Sequence, residues 1–143
     1  MSHMNLVKLC VGIATVEELE AWREAHFADG TPYGMGLHVH RTRMMPTRGS
    51  EIVGKGSLYW VIGGHIRCRQ AIVALEAATD HEGRSCCDIV MDDRIIRTIP
   101  QPKRPFQGWR YLRAQDAPAD LSNTNADSDD GVLAAELARL GLI

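Results

Sequence analysis

The sequence predicts a single α+β domain in which helices lie outside a small, curved sheet of mixed or antiparallel strands, or outside a partly closed β-barrel. Three observations support this fold class. The chain has 143 residues, of which 45% are hydrophobic and 24% charged, as expected of one soluble domain with its own core. Short apolar runs bounded by glycine and proline recur along it, a pattern typical of strands. Two segments show the apolar spacing of amphipathic helices.

The N-terminal region predicts a strand, a helix and a loop. Residues 6–12 are an aliphatic run closed by glycine, which indicates a buried strand. Thr15 and Glu18 have the spacing of a capping box, so a helix is expected over residues 15–27. Glycine and proline in residues 29–34 indicate a loop. The apolar stripe of the helix is expected to contain Val16, Leu19, Trp22 and His26.

The middle of the chain predicts three strands and a helical turn. Residues 37–45 indicate a strand with one polar face, which carries His38, His40, Arg41 and Arg43. A helical turn is expected over 47–53, followed by strands over 57–62 and 66–79 that turn at Gly63-Gly64. By composition, residues 71–78 are equally compatible with a short helix.

The C-terminal third predicts two more strands, a last strand and a terminal helix. Residues 87–91 and 94–99 indicate a strand pair that turns at Asp92-Asp93. Prolines at 100, 102 and 105 indicate an extended connection, because proline cannot donate to a ladder. Residues 109–112 then indicate the last strand.

These elements predict a core domain over residues 5–115, an acidic linker over 116–130 and a terminal helix within 131–143. That helix is expected to span residues 131–140. It is expected to dock on the core through Val132, Leu133, Leu137 and Leu140. Residues 1–4 resemble a cloning remnant, with Met4 as the natural start. The sequence shows no export signal and no apolar run of membrane-spanning length, so a cytoplasmic protein with four reduced cysteines and no membrane partner is expected.

Positive charge is concentrated in the middle of the chain. Residues 37–113 contain 13 Lys/Arg and 7 Asp/Glu, whereas the whole chain has a net charge of -2. Basic side chains interleaved with aromatic ones suit phosphate and stacked bases. The predicted anion-binding residues are Arg41, Arg43, Arg67, Arg69, Lys103, Arg104 and Arg110, with Trp60 or Trp109 stacking on a base and Lys103, Arg104 and Arg110 bracketing Phe106 and Trp109. In the alternative interpretation, the aromatic residues are core and the arginines form a solvated rim.

Other chemistry has weaker support in the sequence. The pair His38-x-His40 could ligate a metal with His65, His81, Cys86 or Cys87, but no metal-binding spacing is present, and no metal or cofactor is expected. Cys86 or Cys87 near His81, or Lys55 with Glu51, would need a third group and a pocket to form a catalytic site.

The acidic residues after 115 have two interpretations. Some of them cap the terminal helix, whose N-terminus favours negative charge. Alternatively, the linker folds across the basic face and competes with an anionic ligand. Capping is favoured. The residues concerned are Asp116, Asp120, Asp127, Asp129 and Asp130.

Three motifs carry a resemblance to a known family: GSLYWVIGG, RCRQ and PFQGWRYL. With LVKLCVG, TVEELEAW and HRTRMMPTR, they make the chain resemble a family of short alphaproteobacterial proteins known as domain of unknown function 1489. The likeness extends to about Leu121. It implies no established activity.

The order of elements is also similar to the PUA-like barrels, including the ASCH and EVE domains. This architectural likeness implies that the protein binds RNA or a modified base. The hypothesis is therefore a binding module for RNA, single-stranded nucleic acid or a nucleotide, and a non-enzyme is favoured. The alternatives are a small hydrolase of a nucleoside-like or amide substrate, with Lys55, Glu51 and His40 in a barrel pocket, and a protein-interaction module with an exposed apolar patch.

Overall fold

Residues 3–121, which a computed structural model describes, contain seven strands and two α-helices. The predicted helix over 131–140 and its docking stripe lie outside the described residues. In chain order the elements are β1 (Met4–Leu9), α1 (Val16–Phe27), β2 (Leu37–Thr42), α2 (Gly49–Ile52), β3 (Ser57–Ile62), β4 (His65–Thr79), β5 (Ser85–Asp92), β6 (Ile96–Pro102) and β7 (Trp109–Arg113).

The strands form one mixed sheet in the order β2-β5-β4-β3-β1-β7, and β6 pairs with β4 outside this path. Strands β1 and β3 are parallel, and the other pairs are antiparallel. Among the described residues the two end strands do not pair with each other, so the sheet is open. The α+β prediction is confirmed, and an open mixed sheet is formed instead of a closed barrel.

Helix α1 begins with the predicted capping box. The backbone N–H of Glu18 donates to Oγ1 of Thr15 at 3.1 Å, and the Glu18 carboxylate accepts from the backbone N–H of Ala14 at 2.7 Å. The predicted apolar stripe is wrong in its second half. Trp22 is 44% exposed, whereas Arg23 is only 3% exposed. Position 23 lies four residues after Leu19, so it continues the buried stripe geometrically.

Strand β4 spans His65–Thr79, which confirms the strand predicted over 66–79. It pairs with β5 from Ile72 onward, so the helical alternative for residues 71–78 is wrong. The predicted pairing of the next two strands with each other is also wrong. Both β5 and β6 pair with β4, to its second and first halves respectively. Strand β6 includes two prolines, which an edge strand tolerates because one row of its N–H groups has no ladder partner.

Each face of the sheet has its own apolar cluster. The larger cluster, under α1 and β2, is centred on Leu6, Leu58, Trp60, Ile62, Cys68, Ile72, Ile89 and Met91. The smaller one contains Val7, Tyr59, Val61, Ile66 and Leu112, with Phe106 and Ala117 packed against it. Segments 103–107 and 114–120 therefore contact the second face of the sheet.

Gly56 is required where α2 leads into β3. A Cβ atom at this position would overlap the carbonyl oxygen of Met4 in β1. The backbone N–H of Gly56 donates to Ile52 O at 2.7 Å, and its carbonyl accepts from Ile72 at 3.0 Å. Any side chain at position 56 would push β1 away from the start of β3. Within residues 3–121, neither helix has the length and apolarity needed to cross a membrane.

Candidate functional site

The predicted arginines do not form one face. Arg41 and Arg43 lie at β2, the end strand of the sheet, Arg69 lies in β4 beside Ser57, and the other predicted cations lie at the β3–β4 turn, in segment 103–104 and on β7. Arg41 makes two bonds to the buried Asp88, at 2.7 and 3.0 Å. The hydroxyl of Tyr33 donates to the same carboxylate at 2.7 Å, which raises the Tyr33 pKa to about 12. The Arg41 guanidinium is therefore already occupied.

Arg69 is also paired. Its Nε and Nη2 donate to the two carboxylate oxygens of Asp120 at 2.8 and 2.7 Å, and its Nη1 donates to Ser57 Oγ at 2.8 Å. Asp116 pairs with Arg113 at 2.8 Å. These two acids bind arginines, while the terminal helix that the acidic cluster was expected to cap lies outside the described residues. The other three acids of that group lie outside the described residues.

Two of the remaining cations, Lys103 and Arg110, lie over Phe106, and Arg67 lies at the β3–β4 turn to which Lys103 is bonded. We call Arg67, Lys103, Phe106 and Arg110 the Phe106 platform. Lys103 Nζ lies 5.7 Å and the Arg110 guanidinium carbon 5.3 Å from the ring centroid. The Nε of Arg67 donates to Ile62 O at 2.8 Å, beside the β3–β4 turn. The backbone N–H of Lys103 donates to Gly64 O in that turn at 2.9 Å. Among the described residues, none of the three cations forms a salt bridge.

The second face of the sheet positions this platform. Arg110 lies opposite Val7, and directly opposed residues project from the same face. Val7 belongs to the smaller apolar cluster, against which Phe106 packs. Gly63 has a φ of +61°, a conformation that favours glycine, and a Cβ there would lie 3.9 Å from Arg67 Nη2, so Arg67 passes directly over the turn. Arg104 is exposed next to the platform.

The two predicted stacking residues lie elsewhere. Trp60 is 1% exposed, and its indole N–H donates to Gln70 Oε1 at 3.0 Å. It therefore does not stack on a base at the exposed surface of the sheet, although it lines the cavity beside α1. Trp109 is half-buried against the larger cluster, and its indole N–H donates to Met44 O at 2.8 Å. Phe106 is the aromatic residue that stands among the unpaired cations.

The expected polar face of β2 is turned inward. Gln70 Nε2 lies 2.8 Å from His38 Nδ1 and 2.9 Å from Asp92 O, and donates to both. Since His38 Nδ1 accepts, the proton of this neutral imidazole is on Nε2. Burial lowers the His38 pKa. Gln70 thus ties β4 to β2 and to the end of β5, a role that its sequence context does not indicate.

A second candidate site lies between α1 and the sheet. This cavity has a volume of about 430 Å³ and is lined by Lys8, Arg23 and His40, by Cys10, and by Leu9, Val11, Gly12, Ile13, Leu19, Trp22 and Trp60. No carboxylate from the described part of the chain lines it. The sequence did not predict Lys8 or Arg23 as site residues. Only the position of Arg23, four residues after Leu19 on the buried stripe of α1, indicated that its side chain faces the sheet.

Burial changes the ionisation of the groups around this cavity. It lowers the Arg23 pKa to about 10 and the His40 pKa to about 3, and it raises the Cys10 pKa to about 11. Arg23 Nη1 donates to Val39 O at 3.1 Å, but within residues 3–121 neither Arg23 Nε nor His40 Nε2 has a hydrogen-bond partner. An uncompensated buried charge costs about 3–5 kcal/mol. The neutral Cys10 thiol is a poor nucleophile.

The proposed catalytic and metal-binding residues are not assembled into a site. Glu51 makes two bonds to Arg48, both of 2.7 Å, and Lys55 donates to Ser50 O at 3.1 Å. His40 lies in the cavity under α1 instead. Burial raises the pKa of Cys87 to about 11. His81 is exposed in the β4–β5 turn, and within residues 3–121 no three His, Cys, Asp or Glu side chains cluster as metal ligands.

Comparison with known proteins gives a family but no activity. A family model described as "Protein of unknown function (DUF1489)" matches residues 6–143 of the chain. No curated protein matches it, and no solved structure matches it. The function must therefore be argued from the residues themselves.

Proposed function

This chain belongs to the DUF1489 family of unknown function, and we propose that it is a binding module for RNA, other single-stranded nucleic acid or a nucleotide. The Phe106 platform is the proposed contact surface. One observation carries the proposal. Two cations lie over one aromatic ring with a third at the adjoining turn, and none of the three forms a salt bridge among the described residues, whereas Arg41, Arg48 and Arg69 are held by carboxylates.

Phosphate is the anion that this arrangement suits best. Arg67 and Arg110 offer planar guanidinium groups, which can donate two parallel bonds to a phosphate, and Lys103 adds a point charge. Phe106 holds Lys103 and Arg110 through cation–π contacts. Because these side chains are already positioned, they lose less conformational freedom when a phosphate binds.

A neighbouring base has a stacking surface in the same place. Arg110 is exposed, and single-stranded bases stack on guanidinium planes as well as on aromatic rings. Such contacts tolerate every base, because every base has a π-face. The platform therefore predicts binding with little sequence preference.

The test is binding of a fluorescently labelled oligouridylate, measured by anisotropy at low salt. The double variant Lys103→Gln plus Arg110→Gln should weaken binding at least tenfold. Its matched control is Arg84→Gln plus Arg94→Gln, which removes the same charge from exposed arginines in the β4–β5 and β5–β6 turns. Equal losses in the two variants, or no binding by the unmodified protein, would contradict the proposal.

The two alternative functions have less support. A hydrolase using Lys55, Glu51 and His40 would need these groups in one pocket, but Glu51 pairs with Arg48 and His40 lies under α1. A protein-interaction module would use exposed apolar side chains, of which Met44 at 65% and Met35 at 70% are examples.

A further inference from the structure

The cavity under α1 has features that the proposed nucleic-acid surface does not use. Its basic groups are Lys8, Arg23 and His40, and it is otherwise lined mainly by apolar and aromatic side chains. Arg23 is 3% exposed, yet it has no carboxylate within ion-pair distance among the described residues. Glu20, one turn before it on α1, pairs with Arg97 at 2.9 Å.

A purely structural role for Arg23 explains only part of this arrangement. Its guanidinium carbon lies 5.2 Å from the Trp22 ring, 5.3 Å from Trp60 and 5.7 Å from Phe27, so cation–π contacts hold it in place. Those contacts do not provide an acceptor for Nε. They also do not explain why His40 Nε2, in the same cavity, has no partner among the described residues. Buried polar groups are normally paired, so two such atoms in one cavity indicate a missing hydrogen-bonding partner.

We infer that this cavity binds a small organic anion that joins one carboxylate or phosphate group to a flat apolar body. The oxyanion would accept from the Nε–Nη2 edge of Arg23, since Nη1 is already used by Val39 O. It would also accept from Nε2–H of the neutral His40 imidazole, and Lys8 would supply the second positive charge. The apolar body would contact Trp22 and Trp60.

The dimensions of the cavity agree with such a ligand. Cavities of roughly 300–1,000 Å³ hold ligands of drug size, and this one measures about 430 Å³. With His40 neutral, the two formal charges are those of Lys8 and Arg23. They sit in an apolar lining, where an uncharged ligand would leave both uncompensated. The anionic group therefore determines whether a ligand binds.

The inference is tested with 1-naphthoate, 1-naphthyl phosphate and the neutral 1-naphthalenemethanol, by calorimetry and by the indole N–H signals of the protein. The chain has three tryptophans, and the signals of Trp22 and Trp60 should shift while that of Trp109 should not. Arg23→Met keeps an unbranched apolar side chain but removes the guanidinium and its charge, and should weaken binding of the anions about 10- to 100-fold. Arg113→Met, at an exposed arginine of β7, is the matched control and should bind normally.

Lys8→Met is the second variant, because Lys8 is only partly buried and its loss leaves α1 in place. It should also weaken both anions while circular dichroism is unchanged. The tighter of the two anions identifies the natural anionic group. Equal affinity for the neutral alcohol, or Kd values weaker than about 10 mM for both anions, would overturn the inference. So would unchanged anion affinity in folded Arg23→Met.

Discussion

Replacing Gln70 by methionine should destabilise the domain strongly, because Gln70 is the centre of a buried polar network. Its carboxamide accepts from the Trp60 indole at 3.0 Å and donates to His38 Nδ1 at 2.8 Å and to Asp92 O at 2.9 Å. Methionine has nearly the same volume but can make none of these bonds. The substitution therefore removes hydrogen bonds without creating a large cavity.

The expected loss follows from the groups that are left unpaired. Trp60 is 1% and His38 7% exposed, so neither reaches water easily. Each buried orphan group costs about 1–3 kcal/mol, which gives a loss of about 2–6 kcal/mol. Small domains are stable by about 5–15 kcal/mol, so this is a large fraction of the total.

Urea denaturation followed by circular dichroism measures this loss. Gln107→Met is the matched control, because residue 107 is exposed and such a change should stay within about 0.5 kcal/mol. A loss below about 1 kcal/mol in Gln70→Met, with unchanged circular dichroism, would refute the role given to the network.

Three further predictions concern other parts of the fold. Gly56→Ala should lower the free energy of unfolding by more than about 2 kcal/mol, because the new Cβ overlaps the carbonyl of Met4; thermal unfolding measures it. Burial lowers the His40 pKa to about 3 in the folded protein, against an ordinary value of 6.5. The unfolded chain therefore binds one more proton, and the melting temperature should fall as pH decreases from 7 to 5. The variant His40→Phe should show a smaller fall. Asp120→Asn and Arg69→Gln should show a coupling energy of about 1–2 kcal/mol in a double-mutant cycle, because both break the same two bonds.

Each of these predictions has a contrary outcome. A Gly56→Ala protein as stable as the original would mean that β1 moves away at no cost. An unchanged pH dependence in His40→Phe would mean that a group other than His40 causes the loss of stability. Carboxylates are not expected to cause it, because they stay ionised down to about pH 5. If Asp120→Asn and Arg69→Gln had additive effects on the free energy of unfolding, the ion pair between these residues would contribute nothing to stability.

Local signals in the sequence predicted the elements well. The capping box at Thr15 and the Gly63-Gly64 turn were both correct, because a cap or a turn depends on a few adjacent residues. Both of these glycines have positive φ, 61° and 81°. The partners of β5 and β6 were not predictable in the same way. Strand pairing is decided by distant residues, and both strands pair with the long β4.

Burial was the harder property to predict. Alternation in β2 indicated that His38 and His40 share a face, but it does not say which face is inside. Arg23 gave no compositional signal, because arginine is rarely buried without a partner. The proposed base-stacking role of Trp60 failed for the same reason, since an aromatic residue in a strand can belong to the core or to a surface.

The salt dependence of RNA binding tests the central proposal most directly. The platform offers three cations to phosphate, Arg67, Lys103 and Arg110, so the logarithm of the binding constant should fall with the logarithm of salt concentration with a slope of about -2 for single strands. Lys103→Gln plus Arg110→Gln should make this slope less steep by about 1.4, and the control Arg84→Gln plus Arg94→Gln should leave it unchanged. Binding whose salt slope is the same in all three proteins would contradict the proposed surface.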